Sequence, residues 1–317
     1  MNEPYRQTLP DLAAYRRELI AAGAPTALPP VPFATAGLLA QLPAPPAGRN
    51  GWPWTVETPP PAGDTSAAAW PLLTIVTPSF KQADFLEETI RSVLLQNYPR
   101  LEFIIVDGGS PDASPALIEK YRPWLSFARV APDRGQSHAI NLGFSLAQGD
   151  LRGWLNSDDL YLPGALHRIA AAFRSSRRPT LITGGYLIRG EKPGVDLPAH
   201  PIAPAFAWEI YAGGRHLPSH ATFWSVTIHQ PVHESLRFIM DADLFKRLAR
   251  DGARPAFISE PLAVFRLHPD SKTSTIITVA RQETTAWLAR APRRIAWLWR
   301  AHLLLDFARR VRARLFG

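Results

Sequence analysis

At 317 residues and 46% hydrophobic, the chain can bury a substantial core as one large domain or two smaller ones. It has no cysteine, which excludes disulfides and thiolate metal sites and fits a reducing compartment such as the cytoplasm. The net charge of +8 is uneven: residues 281–317 hold nine arginines against two acids, so the rest is nearly neutral and a broad nucleic-acid-binding face is excluded.

Met1 to Glu18 is charged throughout and lacks the apolar segment of a secretory signal. No stretch reaches the roughly 18 uninterrupted apolar residues of a membrane-spanning helix. Residues 1–70 read as a Pro-rich N-terminal extension. Within it, Pro10 to Ala22 predicts one helix, stopped by Gly23, with Leu12, Tyr15, Leu19 and Ile20 on one face. Prolines dominate Ala24 to Pro61, which predicts extended backbone without a continuous core element. Trp52, Trp54 and Trp70 mark points where this stretch packs down.

A regular alternation begins at Leu72. Leu72–Thr77 predicts a strand closed by Pro78, and Ala83–Asn97 a helix with Leu86, Ile90, Val93 and Leu94 on one side. Strand Leu101–Val106, helix Ser114–Tyr121, strand Phe127–Ala131 and helix Ser137–Gln148 follow. A short strand through Trp154 and Leu155 then ends in Asn156, Ser157, Asp158 and Asp159, before a helix at 163–173 and a strand at 180–188. Alternating strands and helices predict an α/β fold with a doubly wound, mostly parallel sheet and helices on both faces. Thr77-Pro78-Ser79, Asp107 and Asp158 would then share one carboxyl edge, where open α/β sheets bind ligands. Adjacent carboxylates repel, so folding alone gives little reason for Asp158-Asp159; a divalent cation or a solvated turn would each account for the pair.

Four segments carry a resemblance. Thr74 to Ser110 (TIVTPSFKQADFLEETIRSVLLQNYPRLEFIIVDGGS) resembles the opening of family 2 glycosyltransferases of GT-A fold, and Asp133 to Asp159 (DRGQSHAINLGFSLAQGDLRGWLNSDD) continues the pattern. Asp241–Leu248 (DADLFKRL) and Pro261–Ser271 (PLAVFRLHPDS) resemble the family's later segments. The resemblance implies a GT-A domain over 71–275, with a nucleotide-sugar half at 71–190 and an acceptor half at 191–275, followed by a basic, Trp/Arg-rich helical tail at 276–317.

It also implies residue roles. Thr77, Pro78, Ser79 and Phe80 would line the base and ribose of a nucleotide sugar, and Asp107 would accept a hydrogen bond from the base, typically uracil. Arg134, Gly135 and Asn141 match a segment that approaches the nucleotide, with Arg134 placed for a phosphate. His138 belongs to the same stretch as a helix-surface or supporting residue. Asn156-Ser157-Asp158 matches the Asp-x-Asp motif: Asp158 would hold Mg²⁺ or Mn²⁺ on the diphosphate, with His268 completing the metal site or contacting the diphosphate. Asn156 stands where the family has an acid, so one formal charge is lost and weaker metal binding is expected. Asp159 would hold the donor sugar or orient Asp158.

Asp241 would be the general base of an inverting transfer to a hydroxyl on a glycan or lipid-linked acceptor, although an Asp there can also cap the following helix. Met240 replaces the family's usual Glu. Trp224 is either a sugar platform or a core residue. Trp297 and Trp299, flanked by arginines, fit either the surface of an anionic membrane at its inner face or a packed terminal helix pair. The implied pathway is surface polysaccharide biosynthesis. Asn156 and Met240 keep open a catalytically silent sugar-nucleotide or glycan-binding module. A nucleotidyltransferase would need a Gly-rich basic loop after the first strand, which TPSFKQAD is not.

Overall fold

The computed structural model describes residues 8–66, 69–175, 179–190, 196–199 and 217–290. The Trp and Arg residues of the tail beyond 290 lie outside them, as does most of the first part of the expected acceptor half. Nine strands form one sheet among the described residues: β1 (Leu73–Ser79), β2 (Leu101–Asp107), β3 (Phe127–Val130), β4 (Leu151–Trp154), β5 (Leu160–Tyr161), β6 (Thr180–Arg189), β7 (Asp196–Ala199), β8 (Thr222–Ser225) and β9 (Arg254–Arg266). Their order is β3-β2-β1-β4-β8-β6-β9-β5, with β7 on β6.

The half from β3 to β4 is wholly parallel, as the alternating pattern predicts. Beyond it, β8 inserts antiparallel between β4 and β6, and β5 runs antiparallel to β9. Because β6 and β9 pair in parallel, they share the direction of β1 to β4, so the sheet stays mostly parallel and six carboxyl ends fall on one edge. The second half is therefore mixed, a feature without a local sequence signal.

Pro78 does not close β1. It stays in register opposite Val106 of β2, while the pairing to β4 stops at Val76, so its missing N–H falls where that side of the ladder has ended.

Successive β1 residues face opposite sides, and each side meets its own core. Ile75 packs with Phe103, Ile105 and the apolar face of α2 (Ala83–Leu94), joined by α3 (Ser114–Tyr121) and α5 (Ala165–Ser175). Val76 packs with Ile104, Val106, α4 (Gln136–Leu146) and α6 (Met240–Arg250). Trp224 belongs to this second core. It is fully buried against Phe144, Trp154 and Phe245 and donates its indole N–H to His229 Nδ1 at 3.0 Å, so it is no sugar platform.

The Pro-rich stretch forms a belt across the domain. Helix α1 (Leu12–Ala21) begins at Asp11, whose side chain accepts the Ala13 N–H at 2.8 Å. It lies against α4, and Arg16 donates to the Ser145 and Leu146 carbonyls at the end of α4 (3.2 and 3.3 Å). Leu19 and Leu28 enter one core, and Val31, Leu38 and Leu42 the other. Prolines prevent a ladder here, so side chains supply the fastening. Arg91, fully buried on α2, donates to the carbonyls of Pro53 (2.9 Å), Pro43 (2.9 Å) and Trp54 (2.8 Å) and to the Tyr121 hydroxyl (3.1 Å).

Helix α7 (Ile277–Arg290), the start of the tail, also packs on the domain: Trp287 is buried in the second core and lies under the Lys246 ammonium at 4.7 Å. Among the described residues no helix is long and apolar enough to cross a membrane.

Arg91→Ala orphans several buried oxygens and removes the belt's anchor. It is expected to lower stability by about 3 kcal/mol in urea unfolding, with new proteolytic cleavage between residues 43 and 54.

Candidate active site

The shared carboxyl edge opens into a cavity of about 1150 Å³. The ends of β1 and β2 supply Pro78, Ser79, Phe80 and Gly108. The loop after β3 supplies Arg134, Gly135 and Gln136, and the turn after β4 supplies Asn156, Ser157 and Asp158. The rest of the lining includes Tyr186, His220, Phe238, Met240, Asp241 and Phe265.

Of the residues singled out from sequence, Pro78, Ser79, Phe80, Arg134, Gly135, Asn156, Asp158 and Asp241 line this cavity. Phe80 is 53% exposed, unusual for a phenylalanine and suited to stacking on a planar ring. Ser79 Oγ is buried with no partner, an open hydrogen-bonding group at the cavity floor. A Cβ on Gly108 would stand 3.2 Å from Asp133 and 3.3 Å from Phe80, so glycine keeps this approach open. Gly135 has φ +109°, a conformation that side-chain-bearing residues rarely adopt, and it starts α4 at the cavity wall.

Four others stand behind the wall. Thr77 and Asp107 are fully buried. Asp107 does not present its carboxylate to the cavity; it accepts the N–H groups of Gly109 (3.0 Å) and Ser110 (2.7 Å) and the Ser110 hydroxyl (2.7 Å), fixing the turn that carries Gly108. Asn141 is likewise enclosed: it donates to the Val232 carbonyl (2.9 Å) and to Glu234 (3.0 Å) and accepts the Val232 N–H (2.8 Å). Asp159 is the fourth.

The two adjacent acids separate. Asp158 faces the cavity edge, with Oδ2 3.2 Å from His268 Nε2. Asp159 turns inward to zero exposure and accepts the Arg266 N–H at 3.1 Å. Burial, with the neighbouring Asp158 charge, pushes its carboxyl well above the usual range. The turn itself hangs on Arg266, the last residue of β9. Its guanidinium reaches the Asp158 carbonyl, the Asp159 carbonyl (3.3 Å), Thr89 Oγ1 (2.9 Å) and Glu88 Oε2 (2.6 Å).

Asn156 is engaged too: its Oδ1 accepts from Gln136 Nε2 at 2.7 Å. Asp158 of the turn and His268, which follows β9 and does not itself line the cavity, are neighbours, and among the described residues no three His, Asp, Glu or Cys side chains converge on a point. A carboxylate oxygen and an imidazole nitrogen this close suit a divalent cation in type, which would need its remaining ligands from outside the protein.

Arg134 is held at the rim. It pairs with Glu234 at 2.9 Å, meets the Tyr15 hydroxyl from α1, and places its guanidinium 5.5 Å from the Tyr15 ring centroid. Burial would raise the Glu234 carboxyl, but hydrogen bonds from Asn141, Arg134 and Tyr15 outweigh it and hold it below the usual range. His138 is buried, not on a helix surface, and its Nδ1 accepts the Arg134 N–H at 3.1 Å.

Asp241 lies in the first turn of α6, one residue inside its start, since Ile239 occupies the cap. Its Oδ1 accepts the Ala242 N–H at 2.7 Å. The approach to α6 is fixed by Glu283 of α7, which accepts N–H bonds from Arg237 (2.8 Å), Phe238 (2.9 Å) and Ile239 (3.1 Å). Part of the wall is aromatic: His220, whose Nδ1 stands 3.8 Å from Asp159 Oδ2, lies between Tyr186 (centroids 4.7 Å) and Phe265 (5.5 Å), and burial lowers its pKa to about 3, so it is neutral.

Sequence reasoning missed Arg266, Glu283, Glu234 and Gln136. Arg266 sat inside the FRLH motif, and Glu283 is an acid in a basic tail, the signals that could have marked them.

The model of the family described as Glycosyl transferase family 2 matches residues 74–244, more than half of the chain. The chain belongs to that family. As a glycosyltransferase it has curated relatives of the same description. One from Rickettsia typhi is 24% identical over 233 residues, 68% of this chain and 70% of the relative. One from Mycobacterium tuberculosis is 30% identical over 159 residues, 50% of this chain and 60% of the relative.

Among solved structures, S. aureus TarS 1-349 in complex with UDP-GlcNAc aligns with a TM-score of 0.53 at 15% identity, over 69% of this chain and 67% of that one. The mannosyltransferase PcManGT from Pyrobaculum calidifontis, in complex with GDP-Man and Mn²⁺, aligns with a TM-score of 0.54 at 15% identity, over 88% and 75%. At that identity the likeness establishes the GT-A fold.

Glu283→Ala removes the acceptor of three N–H groups. Amide exchange at Arg237, Phe238 and Ile239 is expected to accelerate at least about tenfold, with a stability loss of about 2 kcal/mol.

Proposed function

We propose that the protein is an inverting glycosyltransferase that moves a sugar from a nucleotide sugar, UDP-linked in the first instance, to a hydroxyl of a glycan or lipid-linked acceptor in surface polysaccharide biosynthesis. The observation that carries this reading is that Asp158 and Asp241 line one cavity from different elements: Asp158 from the turn after β4, Asp241 from the first turn of α6.

The base of the donor rests against Phe80 and Ser79, over the turn that Asp107 braces. The diphosphate lies toward Asn156 and Asp158, within reach of Arg134. Both neighbours named above hold nucleotide sugars, UDP-GlcNAc in TarS and GDP-Man in PcManGT, which supports a donor of this class. Asp158 and His268 would hold Mg²⁺ or Mn²⁺, which when bound supplies positive charge to the leaving diphosphate.

The acceptor sugar packs on Tyr186 and Phe265, whose apolar faces suit the C–H face of a pyranose. Asp241 takes the proton from the acceptor hydroxyl as that oxygen attacks the anomeric carbon and the bond to the diphosphate breaks. Asp241 sits in the first turn of α6. Glu283 steadies the segment that presents it. The Trp/Arg-rich residues of 281–317 would bring the acceptor side to an anionic membrane surface.

The test is release of nucleoside diphosphate from a panel of nucleotide sugars with Mn²⁺ and glycan acceptors. Asp241→Asn is expected to lower kcat by about 10³ while nucleotide binding is retained. Equal turnover by wild type and variant would remove Asp241 as the base. Nucleotide binding by wild type without turnover on any donor would establish the silent module instead.

A further inference from the structure

The edge of the cavity near Asn156 carries a cation that no motif assigns. Lys272 opens a helical turn, Lys272–Thr275, just beyond β9 and lines the cavity together with Gln136, Asn156 and Asp158. Its Nζ donates to Gln136 Oε1 and to the Arg237 carbonyl, the latter at 3.1 Å. Gln136 passes the contact on, donating from Nε2 to Asn156 Oδ1 at 2.7 Å. A hydrogen-bonded string therefore runs Lys272–Gln136–Asn156 along the edge assigned above to the diphosphate.

Both partners of the ammonium are neutral oxygens, and among the described residues Lys272 makes no ion pair. The side chain as a whole is open to solvent, yet its ammonium is crowded by protein atoms. That crowding, with the Arg237 guanidinium nearby, lowers its pKa to about 8 against the opposing pull of Glu283, Asp158 and Asp241. Arg134 is already paired with Glu234 at 2.9 Å, and Arg266 with Glu88 at 2.6 Å; Arg237 also lines the cavity and adds a second positive charge beside Lys272. An ammonium has three donors, and two here are used on neutral groups. An anion entering the cavity would take the remaining donor and balance the positive charge.

We propose that Lys272 is a phosphate-binding residue of the donor site, its remaining N–H directed to an oxygen of the nucleoside diphosphate. The proposal rests on the donor-site reading above. It also gives Asn156 a role: the amide that stands in place of an acid anchors, through Gln136, the lysine that supplies positive charge from the protein itself. An acid at 156 could not accept and donate in the way the Asn156 amide does between Gln136 and Asp159 (Nδ2 to Oδ2, 3.4 Å).

Binding of UDP and GDP, each beside its nucleoside, is measured calorimetrically for the full chain without metal and with Mn²⁺. For whichever diphosphate the wild type binds, Lys272→Met is expected to weaken it about tenfold, the size of one charge-assisted hydrogen bond, in both conditions. Nucleoside binding stays unchanged, which also reports an intact fold, and Lys272→Arg recovers most of the loss. Undiminished diphosphate binding by Lys272→Met would overturn the proposal, as would an equal loss for the nucleoside. A wild type that binds neither diphosphate would overturn the donor-site reading itself, and the proposal with it.

Discussion

The site depends on one buried cation. Arg266 ends β9, and its guanidinium holds the backbone of Asp158 and Asp159 while Glu88 on α2 balances its charge. A buried guanidinium without these partners would cost several kcal/mol, so the contacts come as a set. Their geometric effect is to close the sheet on itself. The turn after β4, in the middle of the sheet, continues directly into β5, which pairs with β9 at the far side. The sheet has to curl for both pairings to hold, and Arg266 is the fastening where the curl closes. Asp158 is left facing the cavity because Asp159 is drawn inward.

Two peripheral segments act on this cavity from outside the family match. The N-terminal belt reaches the rim through Tyr15, which joins Arg134 and Glu234. Helix α7 reaches the opposite wall through Glu283, which fixes the entry to α6 and so the place of Asp241. The extension and the start of the tail are therefore parts of the wall's support. A wall built from loops needs such support, because loop backbone has no ladder to satisfy its N–H and C=O groups.

The polar groups divide by depth. Asp107, Asn141, Asp159 and His138 lie inside and hold backbone or neighbouring side chains; Asp158, Asp241, Arg134 and Lys272 face the opening. Members of the two sets can stand close in sequence: Asp158 and Asp159 are adjacent, and Arg134 and His138 are four residues apart. Residue type cannot separate them, because a carboxylate braces a turn as readily as it meets a ligand.

Sequence by itself determined the parallel half of the sheet, its two-sided core and the edge where the polar clusters gather. Those follow from periods of two and 3.6 and from strand ends, which are local properties. It also placed the segments that carry Asp158 and Asp241. Only the tertiary structure decided which neighbours point into the cavity, that Trp224 is core, and that the second half of the sheet is mixed. It alone joined Arg266 to Asp159, Glu283 to the approach to Asp241, and Lys272 to Gln136 and Asn156. These partners lie far apart along the chain, and their pairing is set by how the sheet curls and where the helices land, which no local pattern encodes.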